Sequence, residues 1–533
     1  MTKQKKRNLT LSSLFAMLGV LFSRVFGIVR VAIVNAYFGA SFNLDSFNLA
    51  FRYPNSLRDL LADGALSNAF IKVYVDAKNL KKYLVDKMTS DVTGFFLTVS
   101  LLVSLLGFFF SFEFMSFFLE KNYSYEKILM ASKIFKILVF FLPLTTLNAI
   151  VMSILGVQNR TFVAMNGSLF FSVGIIFGTL VLSGVFRDKG FEAIYGLAFG
   201  ALLGALMQFI YQVFFLLRER LFPFPSLNPV SWLRCKEIKK IIKLVFPRTI
   251  SQGAFILALT INTYFALQAG SGVLTYITTA VLVIQVPIGL FGVATGFSAQ
   301  SFLAKNAKDN EYNSFSLNLN KSLLLSSLLC FGTILLLTVL SYPFYKLFFE
   351  YGKITEKDIL LNSQILCFYV VSIVFTASSK ILLSAFYALN ATSVLIFSAL
   401  FYLALNATLS SLLAPQFGGI GLGISYSVSC FLEFCLYAVF LNIFIKRKTQ
   451  IKIFHKGFLM RLVFLPLMVF PCAFLGSHLT YFWQKCESLN KLGAFSILAL
   501  SSIFVYLIVF LIYSYFYPKD IKDFLSKLGI KFS

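Results

Sequence analysis

Ser23-Arg24-Val25-Phe26-Gly27-Ile28-Val29-Arg30 and Ala50-Phe51-Arg52-Tyr53-Pro54-Asn55, continued by Leu57-Arg58-Asp59, put four arginines inside two apolar stretches near the start of the chain. Their surroundings decide what they mean. Of the 533 residues, 58% are hydrophobic, 13% are charged and 65 are Phe. Soluble domains typically carry about 25% charged residues. The chain is too apolar for water, which excludes a soluble enzyme, and too apolar for a disordered polymer. The arginines therefore sit in membrane-spanning segments, where each charge needs a reason.

Working outward, a helix crosses the bilayer with about 20 apolar residues. By that measure the chain offers about 14 spans, near 9–37, 44–76, 88–117, 127–156, 162–186, 191–217, 237–268, 273–303, 315–349, 356–389, 392–414, 419–445, 454–483 and 491–517. The first span reads as retained, because its basic start leads into an apolar run without a small-residue cleavage site. The second is the weakest by hydropathy, since it carries Arg52, Pro54, Arg58, Asp59 and Asp63. Topology retains it. With both termini in the cytoplasm, about 26 Lys/Arg fall on inner segments and about eight on outer loops, as the positive-inside rule requires. Dropping the second span inverts every later loop. The net charge of +25 then reflects topology and anionic lipid, and nucleic acid is excluded as a partner.

No loop is long enough to hold a catalytic domain, so the chain reads as a non-enzyme whose function lies within the helix bundle. Seven Cys form no CxxC pair, and there are two His; no metal site is expected.

The chain resembles itself at an offset of about 230 residues. Val34-Asn35-Ala36-Tyr37-Phe38 echoes Ile261-Asn262-Thr263-Tyr264-Phe265, and Pro54, Gly64 and Phe70 fall against Pro287, Gly296 and Phe302. Asn159 falls near Asn390 and Gly196 near Gly421. Each unit holds six spans, an even number, so both enter the membrane in the same orientation, a known transporter plan. The expected architecture is all-α: an N-terminal lobe over 1–230, a C-terminal lobe over 231–448, and an extra helix pair with a cytoplasmic tail over 449–533.

A charge at the bilayer centre costs about 2.5–3.5 kcal/mol on insertion scales. Lys133, Lys136, Lys243, Lys321, Lys380 and Arg461 lie near enough to an interface to snorkel. Arg24 does not, being roughly 22 Å into a span of about 43 Å. Arg58 and Asp59 are equally central; Arg30 and Arg52 lie nearer the outer side and Asp63 nearer the inner. Arg248, after Pro247, is moderately deep. Pairing such as Arg24 with Asp59 accounts for some of these charges, but the arginines outnumber the acids. Surplus guanidinium calls for an anion, and Arg binds phosphate through bidentate charge-assisted bonds. Pro54 should kink the second span, which is tolerated beside a cavity. Glu433, central in the twelfth span, pairs with an arginine or serves a coupling cation; the residues leave both open.

These stretches, with Tyr37-Phe38-Gly39-Ala40, Asp45-Ser46-Phe47, Gly64-Ala65-Leu66-Ser67-Asn68-Ala69-Phe70 and Lys380-Ile381-Leu382-Leu383-Ser384-Ala385-Phe386-Tyr387-Ala388, resemble the MurJ/MviN lipid II flippases of the multidrug/oligosaccharidyl-lipid/polysaccharide exporter superfamily. The resemblance implies two lobes around a cationic cavity in the bacterial inner membrane. It also implies export of undecaprenyl-diphosphate-linked peptidoglycan precursor by alternating access, with Arg24, Arg30 and Arg58 as cavity arginines and the last two helices as a groove for the polyprenyl tail. It implies dependence on membrane potential, in some members with sodium, and no organic cofactor. Membrane lipids and cell-wall synthases are the further expected partners. Arg52, Asp45, Asp59, Asp63 and Arg248 complete the candidate substrate-binding set, and Glu433 is the candidate ion-coupling residue. Two departures stand out: Asp59 replaces a second basic residue of the family, and Leu282 and Gln285 replace an eighth-span arginine and an acid. Arg248 is the candidate to compensate. Other readings are an exporter of a different polyprenyl-linked glycan, a cation-coupled drug exporter, a membrane glycosyltransferase or a channel. Surplus arginine disfavours the drug exporter, and the lack of a large outer loop disfavours the transferase.

Overall fold

The computed structural model describes residues 26–516, except 62–64, 78–81, 120–122, 159, 294, 297–298, 300–302, 304–305, 308, 390, 392 and 450–490. Arg24, Asp63, Arg461 and the expected span 454–483 lie outside the described residues. Eighteen α-helices are described, and no strand is present among the described residues. In order they are α1 Phe26–Phe38, α2 Phe42–Leu61, α3 Ala65–Ala77, α4 Lys82–Phe109, α5 Ser111–Leu119, α6 Tyr125–Leu138, α7 Phe141–Val157, α8 Thr161–Phe177, α9 Ser183–Asp188, α10 Ile194–Arg218, α11 Pro229–Arg234, α12 Lys236–Gln268, α13 Val273–Pro287, α14 Tyr312–Phe349, α15 Glu356–Val370, α16 Ser372–Ala388, α17 Ser393–Thr449 and α18 Lys491–Phe516. Short π-helical turns, Gly178–Leu182 and Ile288–Val293, follow α8 and α13.

Eight helical stretches among the described residues are long and apolar enough to cross a membrane: Tyr83–Phe109, Tyr125–Val157, Asn166–Asp188, Ile194–Arg218, Val273–Gly292, Tyr312–Phe349, Glu356–Ala388 and Val394–Lys446. Phe109, Phe117, Phe214, Leu412 and Leu511 are exposed, as suits side chains bathed in lipid. The expected second span is described as helix over α2, Phe42–Leu61, and α3, Ala65–Ala77. Pro54 lies inside α2 and the helix continues through it.

Tertiary contacts divide the chain into Met1–Thr275 and Tyr276–Ser533. In the first unit α12 packs on α2 and α3. The helix α12 falls within the first of these units. Leu66, Phe70, Val73, Val92, Ile150, Ile154, Ile238 and Ile241 form a closed apolar core between α3, α4, α7 and α12.

Where two helices must approach closely in lipid, small residues are required, because dispersion and not dehydration drives the contact. Gly174 and Gly178 present one such strip, and Gly196, Gly200 and Gly204 the other. A Cβ on Gly174 would lie 2.2 Å from the Gly204 Cα, and one on Gly178 would lie 2.4 Å from the Gly200 Cα. Both distances are far inside contact range, so α8 and α10 meet backbone to backbone.

The second unit contains a chain reversal that hydropathy had split into two spans. In α17, Gly418 takes φ 56° and ψ −132°, three residues after Pro415. Leu413 and Gly421 would be about 12 Å apart on a straight helix. A Cβ on Gly421 would instead lie 2.2 Å from the Leu413 carbonyl oxygen, so the two arms of α17 fold back on each other. The helix α18 packs on α14, with the Tyr506 ring on the bare face of Gly332 and its hydroxyl donating to the Leu328 carbonyl.

Overpacking costs about 1–3 kcal/mol even between yielding side chains, and backbone yields less. Gly200→Leu is therefore expected to abolish the monodisperse folded peak in detergent size-exclusion chromatography. Gly184→Leu, at a position with nothing within 4 Å of its Cβ, should elute and melt like the parent.

Candidate functional site

Three helices of the first unit bring two arginines to one aromatic ring. Arg30 comes from α1, Arg58 from the last turn of α2, and Phe171 from the middle of α8. The Arg30 Cζ lies 5.3 Å from the Phe171 ring centroid and the Arg58 Cζ 6.0 Å. A cation within about 6 Å of a ring centroid is attracted by the ring's negative face. Phe171 is buried and held by other rings. Phe51 stacks on it at 6.1 Å and 16°, Phe141 meets it at 5.5 Å, and Phe47 stacks on Phe51 at 5.6 Å. Phe47, Phe51 and Arg58 share one stripe of α2, so that helix supplies one of the charges and the rings that back Phe171. The two guanidinium groups also repel one another. A half-buried cationic pair of this kind suits an anion with more than one oxygen to offer.

Asp45 is used differently. Its carboxylate is fully buried and accepts hydrogen bonds from the Gly272 N–H at 2.6 Å, the Thr275 N–H at 2.9 Å and the Thr275 hydroxyl at 2.7 Å. Asp45 on α2 thus caps the N-terminus of α13, where free N–H groups and the helix dipole both favour a negative charge. Asn48 adds a bond from its Nδ2 to the Thr275 Oγ1 at 3.1 Å. Gly272 is required here, with φ +88° and the Ala40 Cβ only 2.9 Å from where its own Cβ would stand. Arg52 donates to the Thr263 hydroxyl on α12 and acts electrostatically on Asp45.

The sequence-derived candidates thus separate. Arg30 and Arg58 come together, while Asp45 and Arg52 form a second cluster with α12 and α13. Asp59 is in the last turn of α2 and Arg248 within α12, but their side chains lie outside the described ones. Leu282 is half-buried and Gln285 exposed on α13. Glu433, on the second arm of α17, accepts a hydrogen bond from Tyr437 and faces Lys380 of α16. The facing charge is a lysine, which the sequence reading had assigned to snorkelling. Phe171 was missed altogether; among 65 Phe nothing in composition or spacing marks one ring as a platform.

A helical multi-pass bundle with charged groups held at depth defines a membrane transporter, a class in which the working parts are helices and not loops. Solved structures share its fold. A chain titled "Lipid II flippase MurJ, inward closed conformation" superposes with a TM-score of 0.74 at 23% identity, covering 95% of this chain and 100% of that one. An inward-facing multidrug resistance MATE family transporter of the MOP superfamily superposes at 0.65 with 15% identity, covering 80% and 96%. The chain belongs to the MurJ family: the family model described as "Lipid II flippase MurJ" matches residues 34–520. Among curated relatives, the "Probable lipid II flippase MurJ" of Buchnera aphidicola subsp. Acyrthosiphon pisum is 28% identical over 484 residues, 89% of this chain and 91% of that one. The "Lipid II flippase MurJ" of Burkholderia cenocepacia is 28% identical over 435 residues, 80% and 82% of the two chains.

Hydrogen bonds to a charged group contribute about 1.5–3 kcal/mol each. Asp45→Ala removes the acceptor of three, and the purified protein is expected to melt several degrees lower in a detergent thermal-shift assay. Asp45→Asn keeps one acceptor oxygen and should fall between. A melting point for Asp45→Ala equal to the parent's would show that the cap contributes nothing.

Proposed function

We propose that this protein carries lipid II, the undecaprenyl-diphosphate-linked peptidoglycan precursor, from the inner to the outer leaflet of the bacterial cytoplasmic membrane. The observation that carries this reading is the pair Arg30 and Arg58 on the single ring of Phe171. Family membership supplies the cargo and the pair supplies the chemistry. A diphosphate offers two adjacent anionic groups, and arginine's planar fork matches phosphate oxygens two at a time. Arg24, by its motif, joins them. Two cations on one ring repel the cationic compounds that drug exporters handle.

In this reading the chain spans the membrane 14 times with both termini in the cytoplasm. The diphosphate binds the arginines, the sugar–peptide head occupies an aqueous cavity, and the polyprenyl tail stays in lipid beside the last two helices. Passage of the head through hydrocarbon unaided is prohibitive, since each unsatisfied polar group costs several kcal/mol. Alternating access then delivers the head outward, and no bond is made or broken. Membrane potential supplies about 2.3 kcal/mol per charge per 100 mV. Glu433, beside Lys380 and Tyr437, is the candidate group for a coupling cation. Cell-wall synthases that consume lipid II on the outer face are the natural partners.

Loss of one charged contact to the diphosphate is worth about 1.5–3 kcal/mol, or roughly ten- to a hundredfold. Arg30→Ala and Arg58→Ala are each expected to lower lipid II flipping by that factor or more in cells depleted of the parent protein. Lipid II should accumulate on the inner leaflet while the variants insert at normal levels. Wild-type flipping by both variants would falsify the arginine reading. In proteoliposomes, Glu433→Gln is expected to transport at one rate whether or not an inward cation gradient is imposed. A gradient response equal to the parent's removes Glu433 from coupling.

A further inference from the structure

We propose that residues 219–240, the connection from α10 into the first turns of α12, form a binding surface for anionic phospholipid. Its apolar side chains enter the acyl layer and its basic ones meet the headgroup phosphates.

The depth of the connection is set by the two helices beside it. Arg218 closes α10 and is the one charged residue of that helix. Along α4 the last charge is Asp91, and the eighteen residues from Val92 to Phe109 carry none. As helix they span about 27 Å, against roughly 30 Å of hydrocarbon in a bilayer. The connection crosses α4 at the charged end of this stretch. The Ser226 N–H donates to the Ser90 carbonyl at 3.0 Å, the Ser90 hydroxyl donates to the Phe224 carbonyl, and the Ser231 hydroxyl donates to the Asp91 carboxylate at 2.6 Å. Gly94 permits the crossing, since a Cβ there would lie 1.7 Å from the Ser226 carbonyl oxygen. The segment is therefore held at the edge of the hydrocarbon and not in bulk water.

Its two faces differ sharply. Trp232 turns toward α4, with its Nε1 donating to the Ser226 carbonyl at 2.9 Å and its ring edge-on to Phe95 at 6.1 Å. Ile238 and Ile241 enter the apolar core. Phe224, Leu227, Val230 and Leu233 do the opposite and are between 54% and 74% exposed. Single exposed apolar residues are ordinary, but a cluster rimmed by polar groups marks an interaction surface. Here the rim is basic: Arg218, Arg220, Arg234, Lys236, Lys239 and Lys240 are all exposed. The two acids of the segment are engaged elsewhere. Glu219 pairs with Arg160 at the start of α8 at 2.9 Å, and Glu237 accepts from the Cys235 thiol at 3.5 Å.

Charge and depth together select the occupant. A loop that merely obeys membrane topology needs basic residues only; it needs neither exposed Phe and Leu nor bonds that pin it to a span. Apolar and basic side chains on one element at the hydrocarbon edge are the features of a segment that lies in the interface. Lys and Arg at that level attract anionic headgroups. The topology proposed above makes the leaflet the inner one; the binding itself stands apart from the lipid II reading.

The test places the full-length protein in phosphatidylcholine nanodiscs containing a fixed fraction of brominated phosphatidylglycerol or, in parallel, of brominated phosphatidylcholine. Leu227→Trp adds a reporter, read as the difference from the parent's fluorescence. Quenching is expected to be roughly fivefold more effective with phosphatidylglycerol, and the difference should shrink at high salt. Arg234→Gln, Lys236→Gln, Lys239→Gln and Lys240→Gln together should abolish the preference while the melting point holds. Equal quenching by the two lipids in the Leu227→Trp protein overturns the proposal, and that arm needs one exposed substitution only, so it stands even if the quadruple variant folds poorly. A preference that survives the quadruple substitution also overturns it. Absence of quenching by either lipid does the same and leaves the patch to a protein partner.

Discussion

Guanidinium stays charged at any pH the cell reaches, so an arginine in hydrocarbon cannot escape its desolvation cost by releasing a proton. Each one must find compensation from its neighbours, and the first unit of this protein is arranged around that constraint. Arg30 and Arg58 find it on the face of Phe171, and Arg52 finds part of it at the Thr263 hydroxyl. A cation–π contact is worth about 0.5–2 kcal/mol, rising with desolvation, against the 2.5–3.5 kcal/mol that insertion scales assign to a central charge.

The aromatic platform holds its geometry because the helices bearing it are locked elsewhere. The glycine strips of α8 and α10 bring two backbones into contact, which fixes the rotation of α8 and hence the direction of Phe171. The core of α3, α4, α7 and α12 closes over Leu66, Phe70 and Ile150, with Phe141 at the start of α7. The cap from Asp45 to Gly272 and Thr275 ties α2 to the first turn of α13. A shift of any of these helices would be felt at the ring, because packed interiors have few voids to absorb motion.

The buried charges form distinct groups and not one pool. Asp45 serves a helix terminus, the pair on Phe171 faces a ring, and Glu433 is matched with Lys380 and Tyr437 in the second unit. Counting arginines against acids, as hydropathy analysis does, captures the imbalance but treats every carboxylate as a possible partner for every guanidinium. Asp45 illustrates the difference. Three donors already surround its carboxylate, two of them backbone N–H groups that no composition count includes.

How much was legible in the sequence follows from the range of the interactions involved. Hydropathy and the distribution of Lys and Arg are properties of local stretches, so the all-helical membrane class could be read directly. So could the break between the two arms of α17, where Pro415 and Gly418 interrupt an apolar run, and the family motifs around Arg30 and Arg58. Phe171, Gly272 and Lys380 could not, since each acquires its role from residues more than 50 positions away. Sequence by itself determined that charge would be buried in lipid; the tertiary structure decided which ring, helix end or opposite charge would compensate it, because those contacts depend on distances that only folding sets.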